Sequence, residues 1–268
     1  MATNAIATNE ITNSINNTSV MEGDKQMNSS RKNAAVTGVI LIVATVAALA
    51  ASTVEPVLIG TDYLTKASGN ASQVAVGAIF FLIAAFASVG IAISLYPVLK
   101  KWNAGLALGS VVFRTMEAVM YIAAVVSLLS LVTLSQHFAN AGSTNDIASF
   151  QAIGDSLRSV REHATLAAEF ALSLGAFMYY YIFFQSRLVP RWLSGWGIAG
   201  SALMLAACLL ALFSDSYVTG YVLLILPIAV QEMVLAVWLI VKGFNQSAIA
   251  AISSGSARME TDELLSAI

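Results

Sequence analysis

Val111-Val112-Phe113-Arg114-Thr115-Met116-Glu117-Ala118-Val119-Met120-Tyr121 sets an arginine and a glutamate three residues apart inside a long apolar run. The run is long enough to cross a bilayer as a helix. A charged side chain at the centre of such a helix costs roughly 2.5–3.5 kcal/mol, so it faces a partner, a cavity or a pathway rather than lipid. The stretch therefore predicts a membrane helix packed in a bundle around a buried ionic centre. Glu169 and Glu232 lie in other apolar runs and are the candidate partners.

Composition carries the same message outward. Hydrophobic residues make up 58% of the 268 and charged residues 10%, against about 25% charged in a soluble domain. Mean hydropathy is +0.78. Apolar runs fall near residues 34–54, 74–96, 106–134, 164–185, 196–213 and 221–241, each at or near the ~20 residues that span the hydrocarbon core. The expected fold is all-α, an integral membrane six-helix bundle over 34–241. It is preceded by a polar Asn/Thr/Ser-rich extension, 1–33, expected to be disordered, and followed by a cytoplasmic tail, 242–268. The third run exceeds one bilayer thickness, so it tilts or extends beyond the surface. Ala48-Leu49-Ala50 has the small-x-small form of a signal cleavage site. The long polar stretch before it and the apolar run continuing to Val54 favour an uncleaved first helix.

Lys and Arg accumulate on the cytoplasmic side of membrane proteins. With the N-terminus inside, Lys25, Arg31, Lys32, Lys100, Lys101, Arg187, Arg191, Lys242 and Arg258 are cytoplasmic, and only Lys66, Arg158 and Arg161 are outside. Both termini are then cytoplasmic, and the expected location is the cytoplasmic membrane. Trp102, Trp192, Trp196 and Trp238 fall at the same inner interface, where amphipathic rings are favoured.

Between the spans, Ile147, Phe150, Ile153, Leu157 and Val160 repeat at three- and four-residue intervals. They predict an amphipathic helix lying on the outer leaflet or packing over the bundle mouth. Arg187, Pro190, Arg191, Trp192 and Trp196 form an inner connection that reads as a membrane anchor or as a docking site for an unidentified protein partner. Pro227 should kink the last span just outside Glu232.

The charges sort by depth. At about 1.5 Å per residue, Arg114, Glu117 and Glu232 lie roughly 13–18 Å from the inner ends of their helices, and Glu169 about 24 Å. Ser110, Arg114, Glu117 and Tyr121 share one helix face, and Thr165, Glu169, Ser173 and Tyr180 line another. One reading has Arg114 neutralised by Glu117 and Glu232, fixing helix register. The other uses the carboxyl in excess of the single cation as a proton carrier. Glu169 and His163 would then mark an outer entrance. Splitting the chain after the third span gives two three-helix halves, each ending in a helix with a glutamate, Glu117 or Glu232, as inverted repeats would.

His137 and His163 flank the long outer loop, with Asp155 and Glu162 near His163, but their spacing matches no usual metal motif. The lone Cys208 excludes an intrachain disulfide and reads as packing. No nucleophile elbow, phosphate-binding loop or His-Glu-x-x-His is visible, so an enzyme reading has no motif behind it, and no cofactor or metal is expected. The expected partner is the lipid bilayer, with no large soluble domain for nucleic acid.

Several of these segments together resemble a bacterial family, domain of unknown function 4386. They are Leu95-Tyr96-Pro97-Val98-Leu99-Lys100, Phe113-Arg114-x-x-Glu117, Leu131-x-x-Leu134-Ser135-Gln136 and Pro190-Arg191-Trp192-Leu193-Ser194-x-Trp196-Gly197. The last is Gln231-Glu232-Met233-x-Leu235-Ala236-x-Trp238-Leu239-Ile240-x-Lys242-Gly243-Phe244. The resemblance spans most of residues 31–245 and implies a small multi-pass inner-membrane protein, without an assigned reaction or substrate. From the residues themselves, the favoured function is a small proton-linked carrier. The alternative is a non-catalytic structural or regulatory subunit that docks a partner through its cytoplasmic loops.

Overall fold

The computed structural model describes residues 28–141, 147–214 and 218–251. Six helices are long and apolar enough to cross a membrane: α1 (Asn28–Leu58), α3 (Ala71–Leu99), α4 (Ala104–Asn140), α5 (Ile147–Ser186), α6 (Arg191–Phe213) and α7 (Val218–Val241). A short helix, α2 (Tyr63–Gly69), sits between the first two spans. No strand occurs among the described residues. The expected all-α six-span bundle is the observed one. The polar stretch before Asn28 and the chain after Ala251 lie outside the described residues.

Each helix is bounded by ordinary chain chemistry. Asn103 caps α4, its Oδ1 accepting from the Leu106 N–H at 2.9 Å, which satisfies a backbone donor the helix leaves free. The four-residue connection 100–103 makes α3 and α4 antiparallel neighbours. Pro190, at the N-cap of α6, separates it from α5. Helix α7 runs from Val222 to Val241 with Pro227 inside it, after a 3₁₀ first turn at Val218–Tyr221.

Two helices outgrow the bilayer. Helix α5 has 40 residues and α4 has 37, about 60 and 55 Å at the α-helical rise. The amphipathic segment expected on the outer leaflet or over the bundle mouth forms the first turns of α5, continuous with the span. Its stripe is split: Ile153 and Val160 are exposed, while Phe150 and Leu157 pack beneath α2 with Tyr63 and Leu64. A backbone already in helical register continues past the membrane surface at little cost per residue, and apolar periodicity does not mark where lipid ends.

Consecutive spans pack side by side, and the first closes the ring against the last. Thr37 of α1 bonds Ser94 of α3 at 2.7 Å. A Cβ at Gly38 of α1 would lie 2.6 Å from the Ala236 carbonyl oxygen of α7, so the two helices touch backbone to backbone, as small residues permit in membranes. Arg31 completes the closure. Its Nη2 donates to the Ile240 and Val241 carbonyls at 2.9 and 3.0 Å, and its Nη1 to Leu239 at 3.2 Å. A cation at the C-terminal end of α7 both fills its unpaired carbonyls and complements its dipole.

The bundle has a near end, where α1 starts and α7 stops, and a far end, where α1 stops and α5 starts. The largest core joins Leu95, Tyr179, Tyr180, Phe183, Leu193 and Leu239 toward the near end. A second core at the far end gathers Val54, Tyr63, Leu64 and Leu128.

Candidate functional site

Arg114 and Glu117 occupy successive turns of α4 on the face turned into the bundle, and both are buried, at 2% and 3% exposure. Arg114 Nη1 lies 3.1 Å from Glu117 Oε2. The contact is an ion pair without hydrogen-bond alignment, and Arg114 Nε and Nη1 have no hydrogen-bond partner. Ser88 of α3 donates to the same Glu117 oxygen at 2.7 Å. Helix α5 reaches the pair through Gly175, where a Cβ would stand 3.2 Å from Arg114 Cγ and 3.2 Å from Phe113 Cβ. The missing side chain makes room for the arginine stem.

Glu232 does not join Arg114 in an ion pair, although it lies within its electrostatic reach. It is held by Tyr179 of α5, whose hydroxyl donates to Oε1 at 3.4 Å. The neighbouring Gln231 is fully buried. It accepts from the Tyr180 hydroxyl and donates from Nε2 to the Leu193 carbonyl of α6 at 3.1 Å. The expected three-membered cluster is therefore a pair plus a separately tethered carboxylate. Tyr179 packs against Tyr180 on α5, with ring centroids 4.4 Å apart.

Toward the far end, Tyr121 lies one turn beyond Glu117, half-buried and tilted against Phe81 at 6.2 Å. It is within electrostatic range of both Glu117 and Glu169. Glu169 Oε2 is sealed from solvent without a hydrogen-bond partner. Glu169 and His163 both line a cavity of about 240 Å³ at the far end, together with Glu55, Arg161, Glu162 and Thr165. Arg161, buried in spite of its charge, pairs with Glu55 from the end of α1. His163 Nδ1 stays with its own helix, 2.7 Å from the Ser159 carbonyl oxygen and 3.2 Å from the Ser159 hydroxyl.

At the near end, Arg187, Pro190 and Arg191 line a groove of about 580 Å³ with Trp238 and Lys242. Its shape comes from a clip: the Asn245 N–H donates to the Leu188 carbonyl at 2.9 Å, and Asn245 Nδ2 to Arg187 at 3.3 Å. Trp192 stacks edge-on against Trp238 with centroids 6.4 Å apart, while Trp196 packs into the main core. Neither Trp192 nor Trp196 lines the groove itself; Trp192 borders it through its contact with Trp238.

His137, in the last turn of α4, and His163 stand apart. Among the described residues no three His, Cys, Asp or Glu side chains come together as a metal-holding group. Cys208 is free and buried beside Ala207, Ala211 and Val218. Sequence reading missed Ser88, Tyr179, Gln231 and the Glu55–Arg161 pair. Ser88 and Gln231 are polar residues inside apolar runs, a signal available but undifferentiated. The Glu55–Arg161 pair joins residues over a hundred apart and carries no local signal.

Six apolar spans enclosing a charged interior define a multi-pass helical membrane protein. The chain belongs to the family described as domain of unknown function DUF4386, whose model matches residues 36–243. No curated protein and no solved structure matches it.

Proposed function

We propose that the protein is a small proton-linked carrier of the cytoplasmic membrane, with its near end and both termini in the cytoplasm. The observation that carries this reading is the excess of carboxyl over cation at the bundle centre. Arg114 is matched by Glu117 at 3.1 Å, and Glu232 is left with a phenol as its nearest hydrogen-bond donor. A carboxyl so placed can bind and release a proton, and intramembrane ionisable residues commonly serve such pathways. Glu169, Tyr121, Glu117, Tyr179 and Glu232 supply a series of proton-bearing groups from the far cavity toward the near end. Gaps between them would be bridged by water or by helix movement during a cycle.

The test is proton uptake by the purified protein between pH 5 and 9, with Glu232→Gln beside wild type. The expected result is an uptake step lost in the variant while its thermal unfolding falls by no more than the loss of one ordinary hydrogen bond would cause. Identical uptake in the two proteins would remove Glu232 from any proton role.

A second reading, a non-catalytic subunit that docks a protein partner, is favoured by the near-end groove. Among the described residues no carboxylate forms an ion pair with Arg187, Arg191 or Lys242. The same cations also suit anionic headgroups, and the topology rule alone accounts for their side of the membrane.

A further inference from the structure

We infer that the far-end cavity binds a small monovalent organic cation, an alkyl- or arylammonium ion, on the Glu169 carboxylate; this deepens the carrier reading and rests on it. The cavity measures about 240 Å³, below the ~300 Å³ at which drug-sized pockets begin, so its occupant is small. Its lining divides by character. Glu169, Thr165 and Thr219 are polar, while Leu166, Ala211 and Val218 offer an apolar wall.

Charge selects the ligand. Arg161 is engaged by Glu55, His163 by its own Ser159, and Glu162 adds a further acidic side chain to the lining. Glu169 lines the cavity, its Oε2 is buried without a hydrogen-bond donor, and among the described residues no cation forms an ion pair with it. An ammonium ion in the cavity supplies the missing charge at this carboxylate, and its hydrocarbon lies on the apolar wall. A divalent metal is not matched, since no group of three metal-holding side chains occurs among the described residues and hard cations take six or more oxygens.

Ammonium and proton compete for one carboxyl. When Glu169 carries a proton, binding of RNH₃⁺ releases it as H⁺ and leaves a carboxylate–ammonium pair, so charge balances. The groups around Glu169 are Glu55 from α1, Tyr121 from α4, Cys208 from α6, and Arg161, Glu162 and His163 on α5. Binding should therefore weaken as pH falls.

The experiment is calorimetric titration of the purified full chain in detergent with benzylammonium chloride, with benzyl alcohol as the neutral comparator, at pH 8 and pH 6. One saturable site for benzylammonium, absent for the alcohol and weaker at pH 6, is expected. Glu169→Gln should lower affinity at least ten-fold. Glu169→Asp keeps the charge and should retain weakened binding, and Ala211→Leu keeps Glu169 and should weaken binding by filling the cavity. The two last variants carry the test if Glu169→Gln fails to fold. No saturable binding in wild type, equal binding of benzyl alcohol, or unchanged affinity in Glu169→Gln and Ala211→Leu would each overturn the inference. The Glu232-dependent part of proton uptake separates the two ideas: ammonium binding with uptake unchanged in Glu232→Gln leaves this site and removes the carrier as drawn, and Glu232-dependent uptake without ammonium binding does the reverse.

Discussion

Arg114 is the most expensive single residue to leave alone. It is buried among Glu117, Gly175 and Phe113, and its charge is matched by one carboxylate. Glu117→Gln removes that match, and breaking a buried pair by one partner typically costs about 3–5 kcal/mol. A large drop in unfolding temperature in detergent is expected for Glu117→Gln. The double change Arg114→Met with Glu117→Gln should recover most of it, because the isolated charge is gone. Glu232→Gln keeps the shape and a hydrogen-bonding oxygen for Tyr179, so its cost should stay within the ~0.5–1.5 kcal/mol of one ordinary hydrogen bond. The stability contrast between the two glutamines separates the paired carboxylate from the tethered one. Equal costs would mean that both glutamates balance Arg114.

Between elements, the decisive quantities are approach distances and ties. Helix α6 meets α5 at Gly197, where a Cβ would stand 2.4 Å from the Tyr180 ring. Tyr180 is fully buried and bonded to Gln231, so it has little room to yield. Gly197→Ala should therefore destabilise by about 1–3 kcal/mol, the usual range for an overpacked interior. Gly175→Ala should cost less, since its nearest clash is 3.2 Å; thermal unfolding of the two variants ranks them.

At the far end, Tyr63 ties α2 to α5. It donates to the Gln151 carbonyl at 3.2 Å and lies under Arg158, 4.6 Å from its ring centroid. Burial first, then the nearby Asp155, raises the Tyr63 phenol to about 12. A folded state that keeps the phenol neutral is favoured below the ordinary tyrosine value of about 10. That contribution is lost as pH rises from about 10 through about 12. Tyrosinate absorbance of wild type minus Tyr63→Phe should show one phenol titrating late, and α2 should loosen in the same pH interval. A difference spectrum titrating at about 10, the model-peptide value, would mean α2 is not packed as described.

For the whole molecule, sidedness is the open prediction. Lys100 and Thr65 are exposed at opposite ends of the bundle. In a Cys208→Ala background, an impermeant thiol reagent should label Thr65→Cys on intact cells, and Lys100→Cys only after lysis. The reverse pattern would invert the bundle, and with it the direction assigned to the carrier.

Much of this architecture is legible in the chain. Apolar runs marked all six spans, because a segment in lipid must satisfy its own backbone and so must be a helix of bilayer length. The third run already exceeded one bilayer, but the fourth gave no sign that α5 starts at Ile147, since helix propagation beyond lipid needs no apolar residues. The resemblance to DUF4386 was likewise readable from short polar and aromatic segments, and the family model covers residues 36–243. Of the candidate centre, the Arg114–Glu117 pair was local, three residues apart on one helix face. The partner of Glu232 was not: Tyr179 lies 53 residues away, and equal depth in the membrane does not specify which faces of two helices meet.

By itself, then, the sequence determined that the chain spans a membrane six times and buries charge, because hydrocarbon penalises every unpaired polar group. Only the tertiary structure decided that Arg31 closes the ring on α7, that Glu232 is tethered to a tyrosine, and that Glu169 faces a cavity unpartnered. Those outcomes depend on helix rotation and approach, set by small residues such as Gly38, Gly175 and Gly197 through contacts between segments far apart in the chain.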